Sequence, residues 1–281
     1  MKKFDGVLLV SDFDNTIVDT MSSFRGGAEM PEPSARTLEA LDYFMKNGGC
    51  FTVATGRALA SFAKLAGKVP MNVPSVLCNG AALYDFAAEK YLDTNFLDGE
   101  AHQRVQAVLD RYPAVAVEAY HIGNTIHAVH PNEITRHHEH ITHVAVTEAA
   151  SLLDVPAPLG KLMFEGVHED LAAIKTYMES QPWADTYELI FSDPELLEMT
   201  ARGANKGGMV RRLAERLGIS MDHVYCAGDE GNDLSMLAVA AEGFAPANCS
   251  AAVRGSGATI VSDAAHDTLA DVIDILDRRY S

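Results

Sequence analysis

The chain has 281 residues, 48% of them hydrophobic and 22% charged, which is typical of a globular protein with one large or two moderate domains. Its net charge of −17 disfavours nucleic acid and anionic membranes as partners, but not a small anionic substrate in a locally positive site. The four cysteines are scattered and predict no disulfides, and no apolar run suits a secretory signal or a membrane span, so we expect a cytoplasmic protein.

The first predicted element is a buried strand that ends in two carboxylates. Residues 7–10 form a continuous apolar run, which is typical of a central parallel strand covered on both faces. Asp12 and Asp14 follow this run, and ligands bind beyond the carboxyl ends of the strands in an open α/β sheet. Residues two apart on an extended chain point the same way, so the two carboxylates should converge. Asn15 suits a left-handed turn at this point.

Strands and helices alternate through the first third of the chain, and that order predicts a doubly wound parallel sheet. The polar, glycine-rich residues 16–33 predict a loop or hairpin over the acidic site. The elements predicted next are a helix over 35–47 capped by Ser34, a strand over 50–54, a helix over 58–68, and strands over 74–78 and 81–84. Thr55, Gly56 and Arg57 directly follow the second strand, at the same expected edge as the two aspartates.

The pattern changes near Tyr91, where short strands and helices predict a separate α+β module. Its predicted elements are helices over 98–112, from 132 and over 169–180, and strands over 115–120, 125–130, 161–165, 187–192 and 196–200. The alternation then resumes, with helices over 207–217, 233–240 and 267–279 and strands over 223–227, 243–245 and 258–261. We therefore expect a core of residues 1–84 and 201–281, interrupted by an inserted module of residues 85–200.

Four polar motifs fall just past predicted strands or at the start of predicted helices. They are Asp12-Phe13-Asp14-Asn15-Thr16, Thr55-Gly56-Arg57, Lys206, and Gly228-Asp229-Glu230-Gly231-Asn232-Asp233. In identity, order and strand context they resemble the motifs of haloacid dehalogenase (HAD) superfamily phosphatases, in the Cof-like subgroup with a large α+β cap (type IIB). The surroundings of Asn79 and Lys206 also resemble that subgroup, while Asn15 stands where glycine is more usual. The resemblance implies a Rossmann-like, doubly wound parallel core with an inserted α+β cap that sets specificity.

The resemblance and the residue chemistry together imply a Mg²⁺-dependent phosphatase. Asp12 is the expected nucleophile, which would form an aspartyl-phosphate, and Asp14 is the expected acid for the leaving alcohol and then the base for water. Asp12, the Asp14 backbone carbonyl and Asp229 offer the oxygen ligands that Mg²⁺ prefers. Asp233 would be either a further ligand or an anchor outside the ligand shell.

The remaining motif residues are expected to hold the phosphoryl group. The Thr55 hydroxyl and the Gly56 amide would donate to phosphate oxygens at a helix start, and Asn232 would donate as well. Lys206 would place a positive charge against both the phosphoryl group and Asp12. Arg57 would contact the substrate or brace the carboxylates. Each residue alone has an ordinary structural explanation, such as a turn, a solvated lysine or a helix cap, but their joint order favours a functional site.

The histidines concentrate in the inserted module, with seven of the 11 between His121 and His143. On a helix, His137 and His140, or His140 and His143, would share a face and suit a transition metal, although a polar cap surface is the simpler interpretation. His127 and His130 lie on a predicted strand and could instead face the substrate.

The expected partner is a small phosphorylated metabolite, with sugar phosphates first and nucleotides or phosphorylated cofactors such as pyridoxal phosphate also open. Two other functions use the same residues. A phosphotransferase or phosphomutase would pass the aspartyl-phosphate to a sugar hydroxyl, and a non-catalytic sensor would only bind the phosphometabolite. Both a monomer and a homodimer are compatible with this sequence.

Overall fold

The structure is a computed structural model that describes residues 2–21, 30–122, 125–142 and 144–280, with the backbone alone for Ile141. Residues 22–29 of the segment predicted as a loop or hairpin lie outside the described residues, and so does His143. Among the described helices, none combines the length and the apolar character that a membrane crossing needs.

Strands and helices within those residues follow the predicted order closely. The strands are β1 (Leu8–Ser11), β2 (Cys50–Val53), β3 (Ser75–Leu77), β4 (Ala82–Asp85), β5 (Lys90–Thr94), β6 (Ala116–His121), β7 (Thr125–Val129), β8 (Val146–Ala149), β9 (Leu159–Glu165), β10 (Tyr187–Asp193), β11 (Leu196–Ala201), β12 (Val224–Ala227), β13 (Glu242–Pro246) and β14 (Thr259–Val261). The α-helices are α1 (Ala35–Lys46), α2 (Leu59–Phe62), α3 (Ala101–Arg111), α4 (Glu133–Thr142), α5 (His168–Glu179), α6 (Lys206–Leu217), α7 (Leu234–Val239), α8 (Ala251–Arg254) and α9 (Thr268–Arg279).

The core is a parallel sheet of five strands in the order β14-β13-β12-β1-β2. All four residues of β1 are buried, as its apolar run predicted. Alternate residues of β1 enter opposite faces, since Leu9 packs in one apolar cluster with α1 and α9, and Leu8 and Val10 pack in another with α6. A parallel bridge between Ala54 and Val76 links this sheet to the antiparallel sheet β3-β4-β5.

The inserted cap contains a sheet of six strands in the order β10-β11-β9-β6-β7-β8. Its pairs are antiparallel except for the parallel pair of β7 and β8. One face packs against α3 and α5, with Val117 and Phe164 in that apolar cluster. Successive strand residues point to opposite faces, so Glu118, Tyr120 and Lys161 lie on the other face. That second face therefore carries charged side chains beside apolar ones and looks away from the cap's own core.

One predicted helix was wrong in extent, and three observed elements were not predicted, of which one is the short helix α8. The helix predicted over 58–68 is α-helical only in α2 and ends in a 3₁₀ turn at Ala66–Lys68, because Gly67 lowers helix propensity and Pro70 cannot continue a helix. The strands β5 and β8 were not predicted. Their residues are largely half-buried or exposed, so neither shows the alternation of buried and exposed residues that marks a strand in sequence.

Candidate active site

The predicted motifs meet where the parallel strands end. Asp12 follows β1, Thr55 follows β2, and Asp229 follows β12 after one glycine. These residues line a cavity of about 230 Å³ whose opposite wall belongs to the cap. From the core, the cavity is also lined by Asp14, Gly56, Arg57 and Asn232 and, from the cap, by Tyr120, His138, Lys161, Met163 and Glu198. The site therefore lies between the two sheets.

Lys206 joins two aspartates directly behind the cavity wall. Its Nζ donates to Asp12 Oδ1 and to Asp233 Oδ1, each at 2.6 Å, and its side chain is fully buried. Burial alone would lower the pKa of Lys206, but the two carboxylates raise it, so the ammonium stays charged. Lys206 is the first residue of α6, which is capped by Asn205 through a bond from the Gly208 N–H.

Asp233 uses both carboxylate oxygens for contacts within the protein. Oδ1 accepts from Lys206, and Oδ2 accepts from the backbone N–H groups of Asp229 at 2.9 Å and Glu230 at 3.0 Å. Gly228 leaves the necessary space, because a Cβ there would lie 2.4 Å from Cγ of Asp233. Of the two roles left open by the sequence, this geometry favours an anchor that shapes the Asp229 loop.

The core carboxylates form a cluster that fits a hard divalent cation. Oxygen atoms of Asp12, Asp229 and Asp233 lie within 4.8 Å of one another, and Thr16 donates to Asp229 Oδ1 at 3.1 Å. Burial raises the pKa of Asp12 to about 7 even though Lys206 lowers it. Burial and repulsion by Asp12 and Asp233 raise the pKa of Asp229 to about 9. Lys206 alone does not balance this charge, and an oxygen-only donor set suits Mg²⁺.

Asp14 is held by Arg57 in a two-pronged ion pair. Arg57 Nε and Nη2 donate to the two Asp14 oxygens at 2.7 Å each, and Thr20 Oγ1 donates to Oδ1 at 2.8 Å. Burial would raise the pKa of Asp14, but Arg57 and Thr20 lower it below its usual value. In this structure Arg57 braces a carboxylate, which is one of the two roles that the sequence left open for it.

Asn15 turns the chain between Asp14 and Thr16. Its φ is 55°, in the left-handed region that glycine and asparagine tolerate best, and its N–H donates to the Val18 carbonyl at 2.7 Å. Asn248 Nδ2 holds the Asn15 carbonyl at 2.8 Å. Asparagine therefore serves at the position where the related subgroup more often has glycine.

Thr55 and Gly56 line the cavity, but their surroundings differ from the expected helix start. Thr55 Oγ1 accepts from the Arg57 N–H at 3.1 Å. The helix that follows begins only at Leu59 and has four residues. Close packing explains the glycine, because a Cβ at Gly56 would lie 3.1 Å from Asn79 Oδ1.

A chain of polar contacts that the sequence analysis missed runs from the core into the cap. Asn232 donates to Asn79 Oδ1 at 3.0 Å, Asn79 donates to Glu198 Oε2 at 2.7 Å, and Lys161 donates to the same Glu198 oxygen at 2.8 Å. Asn232 thus contacts Asn79 in this structure. Lys161 and Glu198 were detectable as charged residues inside otherwise apolar predicted strands, where an unpaired charge would be costly.

Comparisons with known proteins agree with the motifs. A model of the haloacid dehalogenase-like hydrolases matches residues 9–273. The pyridoxal phosphate phosphatase YbhA of Escherichia coli (strain K12) is 24% identical over 246 residues, which cover 84% of this chain and 89% of that protein. The HMP-PP phosphatase of Yersinia enterocolitica (serotype O:8 / biotype 1B) is 29% identical over 250 residues, which cover 86% of this chain and 84% of that protein.

The fold is shared with a solved HAD subclass IIB sugar phosphatase. The two structures superpose with a TM-score of 0.80 at 21% identity, over 96% of this chain and 98% of the other. At that identity the likeness concerns the fold, a parallel Rossmann-like core with an α+β cap, while the family model adds the class of enzyme. The chain therefore belongs to the haloacid dehalogenase-like hydrolase family.

Proposed function

We propose that this protein is a Mg²⁺-dependent phosphatase that hydrolyses small phosphorylated metabolites through an aspartyl-phosphate. The observation that carries the proposal is the meeting of Asp12, Asp14 and Asp229 at one cavity, with Lys206 bonded to Asp12. Relatives are named as phosphatases of pyridoxal phosphate and of HMP-PP, and a neighbour in fold as a sugar phosphatase. Sugar phosphates are our first substrate class, and phosphorylated cofactors are the second.

The proposal assigns different tasks to two parts of the chain. Residues 1–84 and 201–281 would form the catalytic core, and residues 85–200 would form the cap that contacts the leaving group. Strand β5 (Lys90–Thr94) falls within residues 85–200, but it pairs with β4 of the core sheet, so we place this strand with the core and not with the cap. Closure of the cap over the core would exclude water from the first chemical step.

Asp12 would act as the nucleophile. Lys206 binds Oδ1, so Oδ2 is the oxygen that we assign to attack on phosphorus. A bond forms between Oδ2 and phosphorus while the bond from phosphorus to the leaving oxygen breaks, which gives the aspartyl-phosphate. Mg²⁺ bound by Asp12, Asp229 and the Asp14 carbonyl would supply positive charge against the phosphate oxygens.

Asp14 would carry the proton, and Arg57 controls when it can do so. A general acid must be protonated, whereas the ion pair with Arg57 favours the carboxylate. A phosphate anion entering the cavity would attract Arg57 and repel the Asp14 charge, and both effects raise the pKa of Asp14. Asp14 then takes up a proton from solvent and donates it to the leaving oxygen. It next takes a proton from the water that attacks phosphorus, which releases phosphate and restores Asp12.

Thr55, Gly56 and Asn232 would position the phosphoryl group from the core side of the cavity that they line. Asn232 would have to exchange its bond to Asn79 for one to the substrate. Because Asn79 also contacts Glu198 of the cap, this exchange would link phosphate binding to cap contacts.

The test is phosphate release from a panel of sugar phosphates, nucleotides and phosphorylated cofactors, with Mg²⁺ and with EDTA. We expect release from a few members with Mg²⁺, and none with EDTA or with the Asp12→Asn variant, whose turnover should fall at least about 10⁴-fold with the fold intact. The exposed Asp222→Asn serves as the matched control and should behave as the wild type. Absence of phosphate release from every member of the panel and from p-nitrophenyl phosphate would contradict the proposal and favour a sensor. Transfer to an added sugar without free phosphate would favour a phosphotransferase.

A further inference from the structure

The cap holds a second group of buried carboxylates on the sheet face that looks towards the cavity. Glu118 lies on β6 and Glu165 on β9, and both side chains are fully buried. His138, on α4, packs against them with its Nδ1 2.9 Å from Glu118 Oε2 and 4.0 Å from Glu165 Oε1. One ligand atom from each of these residues lies within 4.8 Å of the others. We call Glu118, His138 and Glu165 the cap triad.

Each carboxylate of the cap triad has one oxygen in a hydrogen bond and one oxygen without a donor. The Tyr120 hydroxyl donates to Glu118 Oε2, and the Thr135 hydroxyl donates to Glu165 Oε2. Glu118 Oε1 and Glu165 Oε1 are buried and accept no hydrogen bond from the described part of the chain. A buried carboxylate oxygen is costly unless a proton, a donor or a cation balances it.

Lys161, the buried lysine on the same sheet face, forms its ion pair with Glu198 and not with the cap triad. Lys161 Nζ donates to Glu198 Oε2 at 2.8 Å and lies 4.5 Å from the centre of the Tyr120 ring. His138 is thus the basic group in contact with both triad carboxylates among the described residues. Burial and repulsion by Glu118 raise the pKa of Glu165 to about 8. The surplus negative charge can therefore be balanced either by a proton shared within the pair or by a bound cation.

We propose that the cap triad binds a divalent transition-metal ion of the Zn²⁺ type, separately from the Mg²⁺ cluster of the core. Two carboxylate oxygens and one imidazole nitrogen form the mixed donor set that Zn²⁺ accepts, whereas the oxygen-only set of the core suits Mg²⁺. His138 also lines the cavity, so an ion at the triad would be reached from the substrate side. This ion would join α4 to β6 and β9, and would thereby stabilise the wall of the cavity that the cap provides.

The proposal concerns a different histidine from the pairs that helical spacing suggests. His137 and His140 are exposed, while His138 is half-buried against the sheet. His137 therefore offers a matched control, one residue away on the same helix. Gln at positions 118 and 165 keeps the shape of Glu and removes the charge, so the double variant Glu118→Gln/Glu165→Gln should fold without the ion.

The test is Zn²⁺ binding to the full chain in excess Mg²⁺, measured by titration calorimetry and by metal content after dialysis. We expect one equivalent of Zn²⁺ in the wild type, and also in Asp229→Asn, which breaks the core cluster. Affinity for Zn²⁺ should fall at least about tenfold in His138→Gln and in the double Gln variant. Mutation of residues that only hydrogen-bond to metal ligands already lowers metal affinity by about 10–100-fold. His137→Gln should bind as the wild type does.

Thermal unfolding supplies a readout that is independent of phosphatase activity. Zn²⁺ should raise the unfolding midpoint of the wild type and of Asp229→Asn, and should leave that of His138→Gln unchanged. Absence of stoichiometric Zn²⁺ binding in the wild type, or equal binding by the wild type, His138→Gln and the double Gln variant, would overturn the proposal. Either result would leave a shared proton as the balance of charge in the cap. Neither result bears on hydrolysis by the core.

Discussion

The core and the cap both bury carboxylates close to the cavity between them, but they balance the charge differently. In the core, Lys206 bonds Asp12 and Asp233, and Arg57 bonds both oxygens of Asp14. In the cap, Lys161 bonds Glu198, and the carboxylates of Glu118 and Glu165 meet beside His138. The core thus directs its cations to the groups that would do chemistry, while the cap leaves a pair of carboxylates to share a half-buried histidine.

This difference shows that neighbours, and not residue type, set the protonation of a buried acid. Arg57 lowers the pKa of Asp14, whereas burial and nearby carboxylates raise the pKa of Asp229 to about 9. Burial and Glu118 raise the pKa of Glu165 to about 8. Two acids near one site can take opposite roles only if their pKa values are separated in this way.

The largest effect on the core side should follow removal of the proton carrier. In Asp14→Asn, turnover of an alkyl phosphate should fall by about 10²–10⁴-fold, because the leaving alkoxide loses its general acid. The loss should be clearly smaller for p-nitrophenyl phosphate, whose leaving group needs little protonation. The measurement is kcat/KM for both substrates with saturating Mg²⁺. Equal losses for the two substrates would remove Asp14 as the acid.

The two buried lysines offer a direct contrast in stability. Lys206→Met should lower the free energy of unfolding by about 3–5 kcal/mol in EDTA, since it leaves Asp12 and Asp233 without their shared cation. Lys161→Met should cost less, because Glu198 keeps the hydrogen bond from Asn79. Urea unfolding of both variants beside the wild type measures the difference. An equal or larger loss in Lys161→Met would show that the cap depends on its lysine as much as the core does.

The fold of the core was predictable because its signals are local. The strands β1, β2 and β12 are apolar runs followed by polar motifs, and Ser34 caps α1 with a bond from the Thr37 N–H at 3.0 Å. The cap gave weaker signals. Its strand β8 lies at the sheet edge with no buried residue, so its sequence lacks the alternation that reveals a strand.

Within the candidate site too, the core residues were predictable from the sequence and the cap residues were not. The motif residues that line the cavity are close in sequence to strand ends, so topology alone predicts that they meet. The cap triad is different, because Glu118 and Glu165 come together only through the pairing of β6 with β9, in which Glu118 lies opposite Met163. Spacing on α4 also does not show which histidine faces the sheet. Such contacts depend on strand register and helix orientation, which the sequence pattern left open.

The last effect is a pH dependence of stability that separates the core cluster from the rest of the molecule. Without metal, the folded pKa values of Asp12, about 7, and Asp229, about 9, exceed their usual value of 3.8. Between about pH 4 and pH 9 the folded state therefore binds more protons than the unfolded state. The contribution of these groups to the free energy of unfolding is therefore fully present below about pH 4. As pH rises through the folded pKa values, the free energy of unfolding falls by about 1.4 kcal/mol per pH unit for each proton.

Mg²⁺ should offset this loss, because the ion binds the deprotonated carboxylates and stabilises the folded state most at high pH. The measurement is the free energy of unfolding in urea at several pH values, in EDTA and in Mg²⁺. Asp229→Asn should flatten the pH dependence in EDTA and lose most of the response to Mg²⁺, whereas Asp222→Asn should change neither. Wild-type stability that rises towards alkaline pH in EDTA would contradict the surplus of buried negative charge on which the proposed magnesium site rests.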